Sequence, residues 1–224
     1  MNVKNIKGLK YPDEYIIKYF FKEKLFNSKG KVIEFGCSNG NNLALFSQYN
    51  YDVIGIDISN QAVSDANYNF QNIYENTGNF TFYCDDMLAF ANNNKNLEVD
   101  VFLLPNIINY IKKEDLVVFL KTMIQNNNIK KDASIFVRCR TPKDFRFGIG
   151  EKLECNTYKL SEEFDITGEA SCINRFYSEF ELVDLLKKTL DLKDFITLSC
   201  ECQNPQSENT IVLNSDMVLW GKIN

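Results

Sequence analysis

Along the first two-thirds of the chain, short apolar runs ending in glycine, aspartate or proline alternate with stretches of helical period. Residues 11–27 begin the alternation. Pro12 suits an opening position, Asp13 and Glu14 follow it, and apolar residues recur at helical spacing, which predicts a helix. Gly30 ends it, and residues 31–36 form a β-rich run of the kind that makes a buried strand. The same reading predicts a helix over 43–49, a strand over 51–57 and a helix from an N-cap at Ser59 to about residue 75. Beyond a Thr77-Gly78 turn come a strand over 80–84 and a short helix opened by Asp85 and Asp86. A strand over 99–104 stopped by Pro105, a helix over 114–125 and a strand over 133–139 follow.

Residues 141–174 break the rhythm with Pro142, Gly148, Gly150, Gly168 and scattered charge. Ser178 then caps an amphipathic helix reaching residue 190. Strands over 195–202 and 217–223 follow, joined by a polar loop around Pro205. Strands alternating with helices specify a mostly parallel sheet covered on both faces, and a final pair with no helix between its members must run antiparallel. The expected fold class is therefore α/β: a Rossmann-like, seven-stranded, mostly parallel sheet with an antiparallel terminal strand and helices on both faces. One domain spanning 1–224 is expected, with an N-terminal helix over 11–27 and an insertion at about 140–175.

Composition narrows the function. No run approaches the ~18 apolar residues of a membrane span, and the first ten residues lack the apolar core of a signal peptide, so a cytoplasmic protein without a membrane partner is expected. A net charge of -5 argues against general nucleic-acid binding, which needs cations facing phosphates. The seven cysteines fall without a C-x-x-C pair and there is no histidine, so no metal site is expected and reduced thiols are the better reading. The missing histidine also excludes serine–histidine and cysteine–histidine nucleophiles.

In such a sheet ligands bind beyond the carboxyl ends of the strands, and those ends hold the informative residues. The first reads Glu34-Phe35-Gly36-Cys37-Ser38-Asn39-Gly40, where the glycines permit a tight turn and close backbone approach. It resembles the acidic-x-Gly-x-Gly-x-Gly motif of class I S-adenosylmethionine (SAM)-dependent methyltransferases, with Ser38 in place of the middle glycine. The spacing is not G-x-G-x-x-G, which disfavours a nicotinamide dinucleotide, and there is no Gly-Lys-Ser/Thr of a triphosphate loop.

The resemblance extends along the chain and implies SAM as cofactor. It assigns Glu34, Gly36, Cys37, Ser38 and Gly40 to the methionine half, and Asp57, ending the second strand, to the ribose hydroxyls. Asp85, with Asp86 beside it, takes the adenine amino group, while Ile58 and Met87 hold the ring. Pro105-Asn106 resembles the fourth motif, which borders the methyl donor and acceptor, and is not the Asn/Asp-Pro-Pro-Tyr signature of base methylation. The run from Arg175 through Tyr177-Ser178 into an amphipathic stretch is similar to the one that precedes the terminal strands in small-molecule methyltransferases. Residues 11–15, Tyr-Pro-Asp-Glu-Tyr, resemble those of small methyltransferases of bacterial surface-polysaccharide pathways, including those of phosphoramidate modification. Tyr11 is expected to line the cofactor site.

All four arginines, Arg138, Arg140, Arg146 and Arg175, fall in or beside the irregular segment. A guanidinium fork suits carboxylate or phosphate. The expected function is therefore methyl transfer to a small, anionic, phosphate- or sugar-phosphate-like acceptor at oxygen. Salt bridges from these arginines to Glu151, Glu154, Glu162 or Glu163 are the alternative. A hydroxyl acceptor needs a base, for which Tyr110 is the candidate. An amine acceptor and a non-catalytic SAM-binding subunit stay open as alternatives, as does the oligomeric state.

Overall fold

In the computed structural model, residues 3–75, 78–206 and 210–224 are described. Thr77 of the expected turn lies outside them. In chain order the strands are β1 (Gly30–Phe35), β2 (Tyr51–Asp57), β3 (Phe80–Cys84), β4 (Val99–Pro105), β5 (Ile129–Arg140), β6 (Glu151–Glu154), β7 (Thr157–Lys159), β8 (Ile173–Arg175), β9 (Leu192–Pro205) and β10 (Ile211–Ile223). The helices are α1 (Glu14–Lys22), α2 (Asn41–Ser47), α3 (Asn60–Asn72), α4 (Met87–Asn93), α5 (Lys113–Gln125) and α6 (Glu179–Leu190).

Seven strands make one sheet in the order β3-β2-β1-β4-β5-β10-β9. The first five are parallel, and β10 pairs antiparallel with both β5 and β9. Strand order reverses between β1 and β4, and a crevice opens at such a point beyond the strand ends. Two apolar layers cover the sheet. Phe35, Phe102, Phe119 and Leu186 belong to one, and Phe20, Phe46, Tyr51, Phe70 and Trp220 to the other. Burial on both faces explains why β4 reads as a nearly unbroken apolar run.

The structure departs from the sequence reading at several element ends. Helix α1 starts at Glu14 rather than residue 11, because Asp13 is its N-cap: Tyr15 N–H donates to Asp13 Oδ1 at 2.7 Å. Pro12 therefore precedes the cap. Strands β9 and β10 run far beyond their apolar cores, pairing from Leu192↔Ile223 out to Pro205↔Ile211, so Pro205 ends a strand instead of marking the loop. The backbone ladder continues through polar positions that the hydrophobic pattern leaves unmarked. The segment expected to be irregular holds a small antiparallel sheet, β6-β7-β8. Strands of three or four residues carry too few positions to show a period.

Candidate active site

Three strand tips meet at the crevice. After β1 the chain turns at Gly36 (φ +71°), and the N–H groups of Gly36 and Cys37 both donate to Ile56 O, at 2.8 and 3.0 Å. A Cβ at Gly36 would lie 2.9 Å from Ile107 Cδ1, so the position admits no side chain without displacement. Asp57 organises the next contacts. Its Oδ2 accepts Ser38 N–H and its Oδ1 accepts Ser59 N–H, both at 2.9 Å. Asp85 N–H donates to Asp57 O at 3.1 Å, tying the third tip to the second. Asp86 caps α4, accepting from Leu88 and Ala89 N–H.

These tips enclose a cavity of about 180 Å³. Gly36, the carboxylates Asp57, Asp85 and Asp86, and the apolar side chains of Ile58, Met87, Ile107 and Ile111 line it, with Tyr110. Gly36 also borders a second hollow of about 350 Å³, walled by Tyr11, Pro12, Asp13, Ser38, Asn41, Asn42, Pro105 and Asn106. One glycine thus joins two lobes of a cleft. Of the expected cofactor residues, Gly36, Asp57, Ile58, Asp85, Asp86 and Met87 face the first lobe. Tyr11, Ser38, Pro105 and Asn106 face the second.

Glu34, Cys37 and Gly40 stand behind these walls. Cys37 is buried in the apolar layer, and Gly40 (φ +76°) N-caps α2 against Phe70 and Phe82. Glu34 is fully buried. Burial pushes its carboxyl up to about 8 although Asn42 Nδ2 donates to its Oε1 at 2.7 Å. Among the described residues its Oε2 has no hydrogen-bond partner.

Sequence reasoning missed the asparagines that follow the β1 turn. Asn39 Nδ2 donates to Lys7 O and Leu9 O at 2.6 and 2.8 Å, and Asn41 Nδ2 donates to Tyr11 O at 2.9 Å. Asn42 Oδ1 accepts Asp13 N–H at 2.8 Å. From α3, Asn69 holds both N–H and C=O of Lys7. Residues 7–13 are thereby strapped along the cleft, which places Tyr11 in its wall. The available signal was the unusual run of asparagines at 39, 41 and 42, directly after the turn.

The four arginines are engaged within the protein. None of the four lines either lobe; each is held by carboxylates. Arg138 bridges Asp216, at 2.6 and 2.9 Å, and Asp13, at 2.5 Å. Arg140 pairs with Glu169 and also meets Asn174 and Tyr110. Arg146 pairs with Asp144 and Glu169, and Arg175 with Glu154 and Glu181. Of the partners considered from sequence only Glu154 is one of them. A guanidinium already forked by carboxylates has few donors left for an anion. Tyr110, the expected base, lines the first lobe with its hydroxyl engaged. Its hydroxyl donates to Glu169 Oε1 at 2.6 Å and accepts from Arg140 Nη2 at 3.0 Å, and burial raises its pKa. A phenol with its proton committed to a carboxylate is a poor proton acceptor.

Residues 32–126, which span β1 through α5, match the family described as a methyltransferase domain. The matched segment is under half of the chain, and what it resembles is a methyltransferase domain. The fold of the chain is shared with solved structures of low identity. A SAM-dependent methyltransferase from Methanosarcina mazei is 14% identical with a TM-score of 0.66, over 95% of this chain and 99% of that one. One from Clostridium acetobutylicum is 17% identical with a TM-score of 0.62, over 95% and 92%. The 1,6-didemethyltoxoflavin-N1-methyltransferase of Burkholderia thailandensis, solved with its substrate and S-adenosylhomocysteine (SAH), is 13% identical with a TM-score of 0.60, over 94% and 77%. No curated protein matches the sequence. Among the described residues, no helix of this chain is long and apolar enough to cross a membrane.

Proposed function

We propose that this chain transfers the methyl group of SAM to a small-molecule acceptor that is neutral or cationic, with an amine as the best fit. The observation that carries this reading is the charge of the cleft. Among the described residues its walls include the carboxylates of Asp57, Asp85 and Asp86, together with Asp13, which is paired with Arg138, and no lysine or arginine. An anionic acceptor would enter such a cleft against like charge. The anionic acceptor expected from sequence rested on arginines that are occupied elsewhere.

The donor set fits the cofactor. Each Asp57 oxygen accepts one backbone N–H and keeps a lone pair for a ribose hydroxyl. Asp85 and Asp86 offer acceptors to an adenine amino group between the apolar faces of Ile58 and Met87. The missing Cβ at Gly36 leaves room for close backbone approach. Bound SAM supplies an electrophilic methyl on a sulfonium, open to in-line displacement by an acceptor lone pair. Pro105 and Asn106 would border that position, with Tyr11 on the strap limiting water. An amine that arrives protonated first gives its proton to water. Its free lone pair then forms the N–CH3 bond as the S–CH3 bond breaks and SAH leaves, with no side-chain base needed at that step, which suits a chain without histidine.

The test is methyl transfer from labelled SAM across matched amines, alcohols, phosphates and carboxylates. Turnover on neutral or cationic acceptors is expected. Turnover confined to phosphates or carboxylates overturns the acceptor reading, and SAH binding without turnover on any class favours a non-catalytic subunit.

A further inference from the structure

We propose that Glu169 is a positioning residue for the cofactor: it fixes Tyr110 as a wall of the first lobe and so couples the 140–175 insertion to cofactor binding. The inference rests on reading that lobe as the adenosine pocket.

Tyr110 closes the 3-10 turn Ile108–Tyr110 that follows β4; it lines the first lobe, and its N–H donates to Ile107 O at 3.1 Å. Its hydroxyl is held by groups distant in sequence. Glu169 lies 59 residues on and Arg140 lies 30 on. Arg140 also sits over the Tyr110 ring, 5.2 Å from its centroid. Three contacts on one side chain fix the ring's orientation.

Glu169 is the common member of this group. Its Oε1 takes Tyr110 Oη–H and Arg140, and its Oε2 takes Arg146 Nε and Thr167 Oγ1 at 2.6 and 2.7 Å. Four donors fill the carboxylate. Burial opposes its charge, but Arg140 and the hydrogen bonds from Tyr110 and Thr167 outweigh that and hold its pKa near 2. It is therefore ionised throughout the working range. Among the described residues Glu169 is the only carboxylate paired with Arg140, whereas Arg146 keeps Asp144 as a second one. Removing the Glu169 charge leaves a buried guanidinium unpaired beside the pocket wall. Arg146, Thr167 and Glu169 all belong to the insertion, so its placement reaches the cofactor through one phenol.

The experiment is calorimetric titration of SAH into the parent chain, Glu169→Gln, Tyr110→Phe, the double variant and Asp57→Asn, below all their unfolding temperatures. Glu169→Gln and Tyr110→Phe should each weaken SAH by about tenfold, the effect of losing one charge-assisted hydrogen bond. The double variant should be no weaker than the weaker single one, because both remove the same contact. In turnover, KM for SAM should rise while kcat at saturating SAM stays within about twofold. Purely structural residues would lower the unfolding temperature and leave these affinities alone. Parent-like affinity in both single variants, or additive losses in the double, overturns the inference. Should Glu169→Gln fail to fold, Tyr110→Phe alone decides: parent-like SAH affinity overturns the proposal. A parent that ignores SAH, or an Asp57→Asn protein that binds it equally well, overturns the pocket reading and this inference with it. Loss in Asp57→Asn with none in the Glu169 and Tyr110 variants overturns the inference alone.

Discussion

Ser38 occupies the left-handed region at φ +48°, and its backbone N–H donates to Asp57 Oδ2 at 2.9 Å. The tip of β2 thereby clamps the turn that leaves β1. A serine stands here although the resemblance favours glycine, and the contact offsets the modest cost of a left-handed non-glycine. Asp57→Ala removes that clamp, the matching bond from Ser59 and both acceptors facing the first lobe. SAH affinity should fall by about a hundredfold, the sum of two charge-assisted hydrogen bonds. Calorimetry checks it, and a folded Asp57→Ala protein with undiminished affinity would show that the lobe is not the ribose site.

Gly36 is the hinge between the two lobes, and its substitution tests both. In Gly36→Ala the new methyl meets Ile107 at 2.9 Å, and φ is +71°. A stability loss of about 1–2 kcal/mol follows from the backbone alone, and SAH binding should fall further because the methyl also intrudes on the cleft. Adding Ile107→Ala should restore part of the stability but not the affinity. Urea unfolding and calorimetry on the same preparations separate the two effects; full recovery of both would reduce Gly36 to a packing residue.

The strand tips were legible because each is a local event. An apolar run ends in Gly36, Asp57, Asp85 or Pro105, and fold topology alone brings such ends together. The arginine partners were not. Arg138 meets Asp13 and Asp216, 125 and 78 residues away, and no local spacing encodes such pairs. Glu154, one of four glutamates named for such salt bridges, meets Arg175 across the small sheet, 21 residues away. The strap was hidden for another reason. Asparagines read as turn formers, whereas the buried Asn39 and Asn41 donate to, and the buried Asn42 accepts from, a segment some thirty residues earlier.

Arg138 should act through stability. Arg138→Met leaves Asp13 and Asp216 without their shared cation, and burial already raises the Asp216 pKa against the pull of Arg138. Truncating a largely buried pair in this way costs about 3 kcal/mol. Urea unfolding should report that loss, with the order of preferred acceptors unchanged. Unaltered stability together with a selective rise in KM for an anionic acceptor would restore Arg138 as a substrate receptor.

Glu34 gives the apo protein a stability that falls as pH rises. Its folded pKa is raised from 4.5 to about 8, with burial as the main cause and the Asp13 and Asp57 charges adding to it. Between those values the folded chain binds a proton that the unfolded chain has released, so its stabilising effect is complete below about 4.5 and is lost as pH climbs through 8. The span is on the order of a few kcal/mol. Glu34→Gln keeps a neutral side chain at all pH values, so it should match the parent near pH 5 and exceed it near pH 8.5. Urea midpoints at the two pH values measure this directly. Parallel pH slopes for parent and variant would assign the dependence to other groups and leave Glu34 ionised in its buried place.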